Sequence, residues 1–348
     1  MKINPGIEWI ALLTAFCWGA GSFFGKRAMK IGHLSPLVGI VLRTFTAFLL
    51  FVIFLAIFGT KINIKLFDQI KNAWKKSKIG LFQIILFEGI LAGGIGMFLY
   101  YLAISGGALS LVMPLAFISP FWGSLLTLIY RDEKISFNRT WGFLFTIFGI
   151  LIITSVGFQI TEIFQWRIEY VALLTGICWG IGSFYGKRGM KKTEISPIVG
   201  ITVRSGTSLI VLVIAVFSLG PILLNSYFIK EMGWIFTNEL GQFFLIIIFE
   251  GVLAGFAGML FYYTAIKKGE LSLVMPLAFS SPFWGTALAL IFGTEIFTPY
   301  RLAGMLFIIY GIMLIPSPNF HKPVQINNEK ITYHLLKKNN MKDKEDSS

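Results

Sequence analysis

Residues 109–123 read LSLVMPLAFISPFWG and residues 271–285 read LSLVMPLAFSSPFWG, and the two copies differ only at Ile118 against Ser280. Each lies in an apolar run long enough to cross a bilayer. Each carries two prolines six residues apart, Pro114 and Pro120, then Pro276 and Pro282. A proline inside a helix removes a backbone donor and disturbs the preceding turn. In hydrocarbon such a break is tolerated only where neighbouring helices, polar side chains or a wet cavity satisfy the freed carbonyls. A broken helix at membrane depth, present twice, predicts kink or gating elements at Pro114, Pro120, Pro276 and Pro282 and a site at a repeat interface. The competing reading is a kinked packing helix without further role.

Composition agrees with a membrane setting. Hydrophobic residues make up 55% of the 348, charged residues 14%, and the mean hydropathy is +0.75, far from the balance of a soluble domain. The net charge of +13 does not point to nucleic acid, because the basic residues fall in short loops between apolar runs, where they orient helices. Cys17 and Cys178 occupy equivalent apolar positions and offer no disulfide framework or metal spacing. The histidines, His33, His321 and His334, sit in a loop and the tail, which excludes most hydrolytic and metal constellations. There is no GxxxxGK[ST] phosphate loop, and nothing calls for a cofactor.

Apolar runs of about 20 residues, at ~1.5 Å rise per residue across a ~30 Å core, predict ten spans. They lie near 7–29, 36–58, 79–103, 108–130, 139–157, 168–190, 197–219, 241–265, 270–292 and 300–316. Residues 7–30 match 168–191 at 17 of 24 positions, and FEGILAGGIGMFLYYLAI (87–104) matches FEGVLAGFAGMLFYYTAI (249–266). The fold class expected is therefore all-α integral membrane: ten transmembrane helices as two inverted five-helix repeats, because an odd number of spans reverses the second copy. The divisions follow: 1–157, 158–318, and a disordered basic tail over 319–348. With the N-terminus on one side, that side holds 22 basic residues and the other six. The positive-inside rule then puts both termini in the cytoplasm and gives a multi-pass protein of the cell membrane.

Several features recur in order in both halves. They are Trp18-Gly19 and Trp179-Gly180, Ser35-Pro36 and Ser196-Pro197, Arg43 and Arg204 seven residues later, the proline-bearing span, and Glu133 and Glu295. In this the chain resembles the ten-span EamA family of the drug/metabolite transporter superfamily, over about 310 residues. The resemblance implies transport of small solutes, a class that in the family covers amino acids, nucleosides, sugars and drugs, and it names no cargo. The FEG motif is not general to that family.

Four ionisable side chains fall well inside spans: Arg43, Glu88, Arg204 and Glu250. Each costs roughly 2.5–3.5 kcal/mol in hydrocarbon, so they are expected to be paired or wet. Depth counting places Arg43 within reach of Glu88, and Arg204 within reach of Glu250. The pairs either pin helices within each half or border a cavity and bind charged groups or exchange a proton. Aromatic candidates for stacking or cation recognition are Trp18, Trp179, Tyr101 and Tyr263. Where the halves differ the second is more polar, and Tyr185 and Ser280 are candidate substrate contacts. The Gly21/Gly25, Gly182/Gly186, Gly89/Gly93 and Gly251/Gly255 steps read as close helix contacts. Lys26-Arg27 and Lys187-Arg188 read as snorkelling helix ends or as vestibules for anions.

The function expected is a secondary transporter of small organic metabolites working by alternating access, with a cavity lined by the first, third, fourth, sixth, eighth and ninth spans. Zwitterionic or anionic solutes such as amino acids suit the arginines. The alternatives are a proton-coupled exporter of aromatic or quaternary cations and, in a different class, a lipid-handling protein. An enzyme is not expected. The partners are the solute, the lipid bilayer and, in the coupled case, protons, with a monomer as the default.

Overall fold

The computed structural model describes residues 6–62, 64–130, 137–155, 168–268, 274 and 277–314. Residues Met1–Pro316 form one unit, and the tail from Ser317 lies outside the described residues, as do Pro276 and the expected boundary at 157/158. Among the described residues every regular element is helical. In chain order they are α1 Ile7–Ile31, α2 Pro36–Phe58, α3 Leu66–Lys76, α4 Lys78–Gly106, α5 Leu109–Ile129 and α6 Phe137–Ser155. The second half gives α7 Ile168–Thr193, α8 Pro197–Ser218 with a single further turn over Gly220–Leu223, α9 Phe228–Asn238, α10 Leu240–Ala265, α11 Ser281–Ile291 and α12 Pro299–Leu314.

Seven described helices, α1, α2, α4, α5, α7, α8 and α10, are long and apolar enough to cross a bilayer. Three shorter apolar helices, Thr140–Thr154 within α6, α11 and α12, occupy the places of the other spans expected from the sequence. The first part of the expected 270–292 span lies mostly outside the described residues.

Local chemistry explains the helix ends. Pro36 and Pro197 stand at the first turns of α2 and α8, where no amide donor is needed. The Ser35 hydroxyl accepts from Val38 N, a serine N-cap. The connecting helices complete these ends across the halves. Glu231 of α9 accepts from Ser35 N at 2.7 Å, and Gln69 of α3 accepts from Ser196 N at 2.8 Å.

The proline pairs do break their helices, but between the prolines rather than one turn before them. Pro114 lies inside Leu109–Ala116, the chain turns at Phe117 and Ile118, and Pro120 opens Ser119–Ile129. The same turn falls at Phe279 and Ser280, with Pro282 in the first turn of α11. Proline is favoured at a first helical position, so Pro120 restarts the helix that Pro114 disturbs, and Pro282 opens α11.

The packing exchanges the halves. The helix α1 lies on α10 and α11, while α7 lies on α4 and α5; α2 lies on α10 while α8 lies on α4; α6 pairs with α12. The glycine steps make the close approaches. A Cβ at Gly21 would meet Ala254, at Gly182 Ala92, at Gly89 Thr207 and at Gly251 Thr46. Every one of these contacts crosses from one half to the other.

Residues Ile84–Gly96 of α4 and Ile246–Gly258 of α10 are π-helical, which no sequence pattern announced. The consequence is geometric. In an α-helix residue i+9 lies about 180° from residue i. With i→i+5 bonding and ~4.4 residues per turn it returns to within about 20°. Glu88, Ala92 and Met97 thereby share one face, as do Glu250, Ala254 and Met259.

Candidate functional site

Those two faces meet across a cavity of about 120 Å³ lined by residues of both halves, among them Trp18, Arg43, Glu88, Trp179, Arg204 and Glu250. Ligand pockets usually run to about 300 Å³ or more, and this one is smaller.

The ionisable pairs differ from the expected ones. Arg43 Nε donates to Glu250 Oε2 at 3.0 Å, and Arg204 Nε lies 3.2 Å from Glu88 Oε2. The expected Arg43–Glu88 and Arg204–Glu250 pairs within halves do not form. Depth along the bilayer normal restricts which charges can meet but leaves their lateral neighbours open, and the exchanged packing puts α2 on α10 and α8 on α4. Both glutamates thread past a glycine of the opposite half, Glu250 past Gly25 and Glu88 past Gly186, where a Cβ would collide with the carboxylate arm. Both pairs border the cavity, which also brings in α2 and α8, two elements not expected among its walls.

An aromatic belt surrounds the rest. Trp18 lies 5.2 Å from Tyr262 and 5.9 Å from Phe279; Trp179 lies 5.2 Å from Tyr100 and 5.4 Å from Phe117; Phe117 and Phe279 are 6.0 Å apart. Phe117 and Phe279 are the residues at the two helix breaks, so the proline pairs present a ring to the cavity from each half. The buried Trp179 Nε1 has no hydrogen-bond partner, which leaves a donor for a ligand or a water.

The remaining candidates divide. Tyr263 lines the cavity. Tyr101 is buried beyond it, with its hydroxyl beside the Glu250 carboxylate. Tyr185 lies outside the cavity, stacked on Phe87 at 4.1 Å with its hydroxyl 2.5 Å from that of Tyr130. Ser280 Oγ donates to Leu277 O at 2.6 Å and also lies outside. Hydroxyls at these positions are satisfied locally. Sequence reasoning missed Ser22, Ser183, Phe117, Phe279, Met97 and Met259. The duplicated Phe before each Ser-Pro was the available signal for two of them.

The two ends of the cavity are closed differently. Ser22 is buried and its hydroxyl lies 2.7 Å from that of Tyr100, whereas its counterpart Ser183 is exposed. Beyond Ser22, Lys26 Nζ donates to Gly107 O at 2.6 Å and lies 3.7 Å from Glu295. The Glu295 carboxylate accepts from the amides of Leu109 and Ser110 at the start of α5, where a helix favours negative charge. Arg301 Nη1 adds a bond to Ser110 Oγ at 3.3 Å. Glu295, noted in the sequence before the last span, thus ties both halves at one mouth, and the corresponding Glu133 falls outside the described residues.

Known proteins share this arrangement of sequence and fold. A curated transporter of Archaeoglobus fulgidus, itself uncharacterized, is 25% identical over 311 residues, 88% of this chain and 98% of its own. The uncharacterized transporter YvbV of Bacillus subtilis is 24% identical over 311 residues, 88% of this chain and 90% of its own. An uncharacterized protein of Methanocaldococcus jannaschii is 26% identical over 149 residues, 43% of this chain and 96% of its own. A solved crystal structure of a protein matches with a TM-score of 0.56 at 13% identity, over 90% of this chain and 96% of that one, a likeness of fold. The EamA-like transporter family model matches residues 5–155 and again 166–316. With both repeats matched, this multi-pass helical membrane protein belongs to the EamA-like transporter family, within the drug/metabolite transporter superfamily, and its role is transport rather than enzymatic catalysis.

Proposed function

We propose that the chain is a ten-span secondary transporter whose inverted five-helix repeats rock about the central cavity to expose it alternately. Its solutes are small zwitterionic or anionic metabolites such as amino acids. One observation carries this: two arginine–glutamate pairs, each spanning the two halves, face one cavity. An ammonium group can replace an arginine on a glutamate, and a carboxylate can replace a glutamate on an arginine. A zwitterion therefore exchanges internal ion pairs for equivalent external ones and loosens the grip of one half on the other. The ion pairs that hold the cavity shut are then the ones the solute dissolves, which couples binding to opening. The charge asymmetry of the loops supports cytoplasmic termini in the cell membrane. A monomer suffices, since both halves of the site lie in one chain.

The aromatic belt favours a second reading, a proton-coupled exporter of aromatic or quaternary cations using Glu88 and Glu250, because ring faces attract cations. Proteoliposomes preloaded with a panel of amino acids, nucleosides, sugar phosphates and aromatic cations, with and without a proton gradient, decide between them. The first reading expects counterflow of a zwitterion or anion, lost at least tenfold in Arg204→Gln with the protein still folded. Gradient-driven cation movement abolished by Glu88→Gln establishes the second instead. Lipid scrambling without any solute flux overturns both in favour of lipid handling.

A further inference from the structure

We propose that the outward flank of α3 is a docking site for the headgroups of anionic phospholipids. The helix ends at Lys76, and Ser77 alone separates it from α4, whose first exposed apolar side chains are Ile79 and Phe82. A helix joined so closely to a membrane span lies at the bilayer surface. Its inner face is occupied: Leu66, Ile70 and Ala73 pack against Ile195 and Val199 of the second half, and Gln69 caps Ser196. At about 100° per residue, Phe67 and Trp74 share one flank, and both are exposed, Phe67 at 83%. Lys71 and Lys75 stand beside that flank on the outer side, exposed. Lys78 Nζ sits 5.3 Å from the Trp74 ring centre. Apolar side chains that dip toward the acyl region with lysines at headgroup height form the pattern of an interfacial anchor.

Charge complementarity selects the lipid. Residues 60–78 carry six lysines and one acid, Asp68; among the described residues only Lys76 of these has an acidic partner, Glu194. The matching helix α9 separates the two possibilities. It exposes Ile229, Trp234 and Phe236 in the same manner, yet residues 221–240 carry Lys230 against Glu231 and Glu239. Apolar anchoring is common to both connections, and affinity for anionic headgroups belongs to α3 alone.

The test uses the full chain in nanodiscs of phosphatidylcholine with or without phosphatidylglycerol. Native mass spectrometry counts the lipids that remain bound. Wild type is expected to retain phosphatidylglycerol over phosphatidylcholine. Losing roughly fivefold per lysine, the triple variant K71Q/K75Q/K78Q is expected to lower that preference on the order of a hundredfold. K230Q is expected to leave it unchanged. A second measurement needs no variant: amine-reactive labelling of Lys71, Lys75 and Lys78 in wild type is expected to fall only in discs that contain phosphatidylglycerol. Equal retention of the two lipids, a preference that survives the triple variant, or labelling indifferent to phosphatidylglycerol overturns the assignment. Soluble polyglutamate that displaces phosphatidylglycerol from wild type overturns it too, in favour of an acidic protein partner.

Discussion

Arg43–Glu250 and Arg204–Glu88 place the same two side chains at equivalent positions of the two halves, yet they are not equally sealed. The first is an aligned hydrogen bond at 3.0 Å on a glutamate whose side chain is 3% exposed. In the second the atoms approach to 3.2 Å, Arg204 Nε makes no hydrogen bond, and the Glu88 side chain is 10% exposed. The looser pair faces the same end as the exposed Ser183, and the tighter one adjoins the end where Ser22 and Tyr100 are joined. Equivalent residues thus form a hydrogen-bonded pair on one side and a looser one on the other.

The largest effect expected is on folding. Glu250→Ala leaves Arg43 buried without its partner and should destabilise by about 3–5 kcal/mol, read as thermal unfolding in lipid discs. Glu88→Ala should cost distinctly less, since water reaches the vacated Arg204. Equal losses would break the comparison between the pairs. Next comes connectivity: a double-mutant cycle of Arg43→Gln with Glu250→Gln should show coupling of about 1.5–3 kcal/mol, and Arg43→Gln with Glu88→Gln less than about 0.5 kcal/mol. Reversed couplings would restore pairing within halves. The smallest effect separates the two ends. Ser22→Ala should lose about 1 kcal/mol by stranding the Tyr100 hydroxyl, while the exposed Ser183→Ala should stay within about 0.5 kcal/mol in the same assay.

Much of this was legible in the chain because duplication is a long-range signal. The repeated LSLVMPLAF runs, the glycine steps and the four intramembrane charges identified a helical membrane protein and pointed to the cavity that both halves line. Each of those charges does reach the cavity. What the sequence misplaced was lateral. It put Arg43 beside Glu88 because depth is encoded by distance from a loop, whereas the choice of neighbouring helix is decided by packing that no local pattern records. Tyr185 and Ser280 lie outside the cavity for a related reason: their hydroxyls find partners in Tyr130 and Leu277 O, and hydrogen-bond satisfaction belongs to the fold. Glu295 was visible as a residue, but its role needed the start of α5 beside it.

The π-helical segments impose a constraint on chain length. A residue removed from Ile84–Gly96 would turn Glu88 and Met97 away from each other, while the same deletion in a surface loop would be absorbed. Substitutions that keep the volumes of Leu91 or Ile95 can accumulate there, but insertions and deletions cannot. The same holds for Ile246–Gly258. These two stretches act as rulers: their residue number, more than their composition, keeps each carboxylate opposite its arginine.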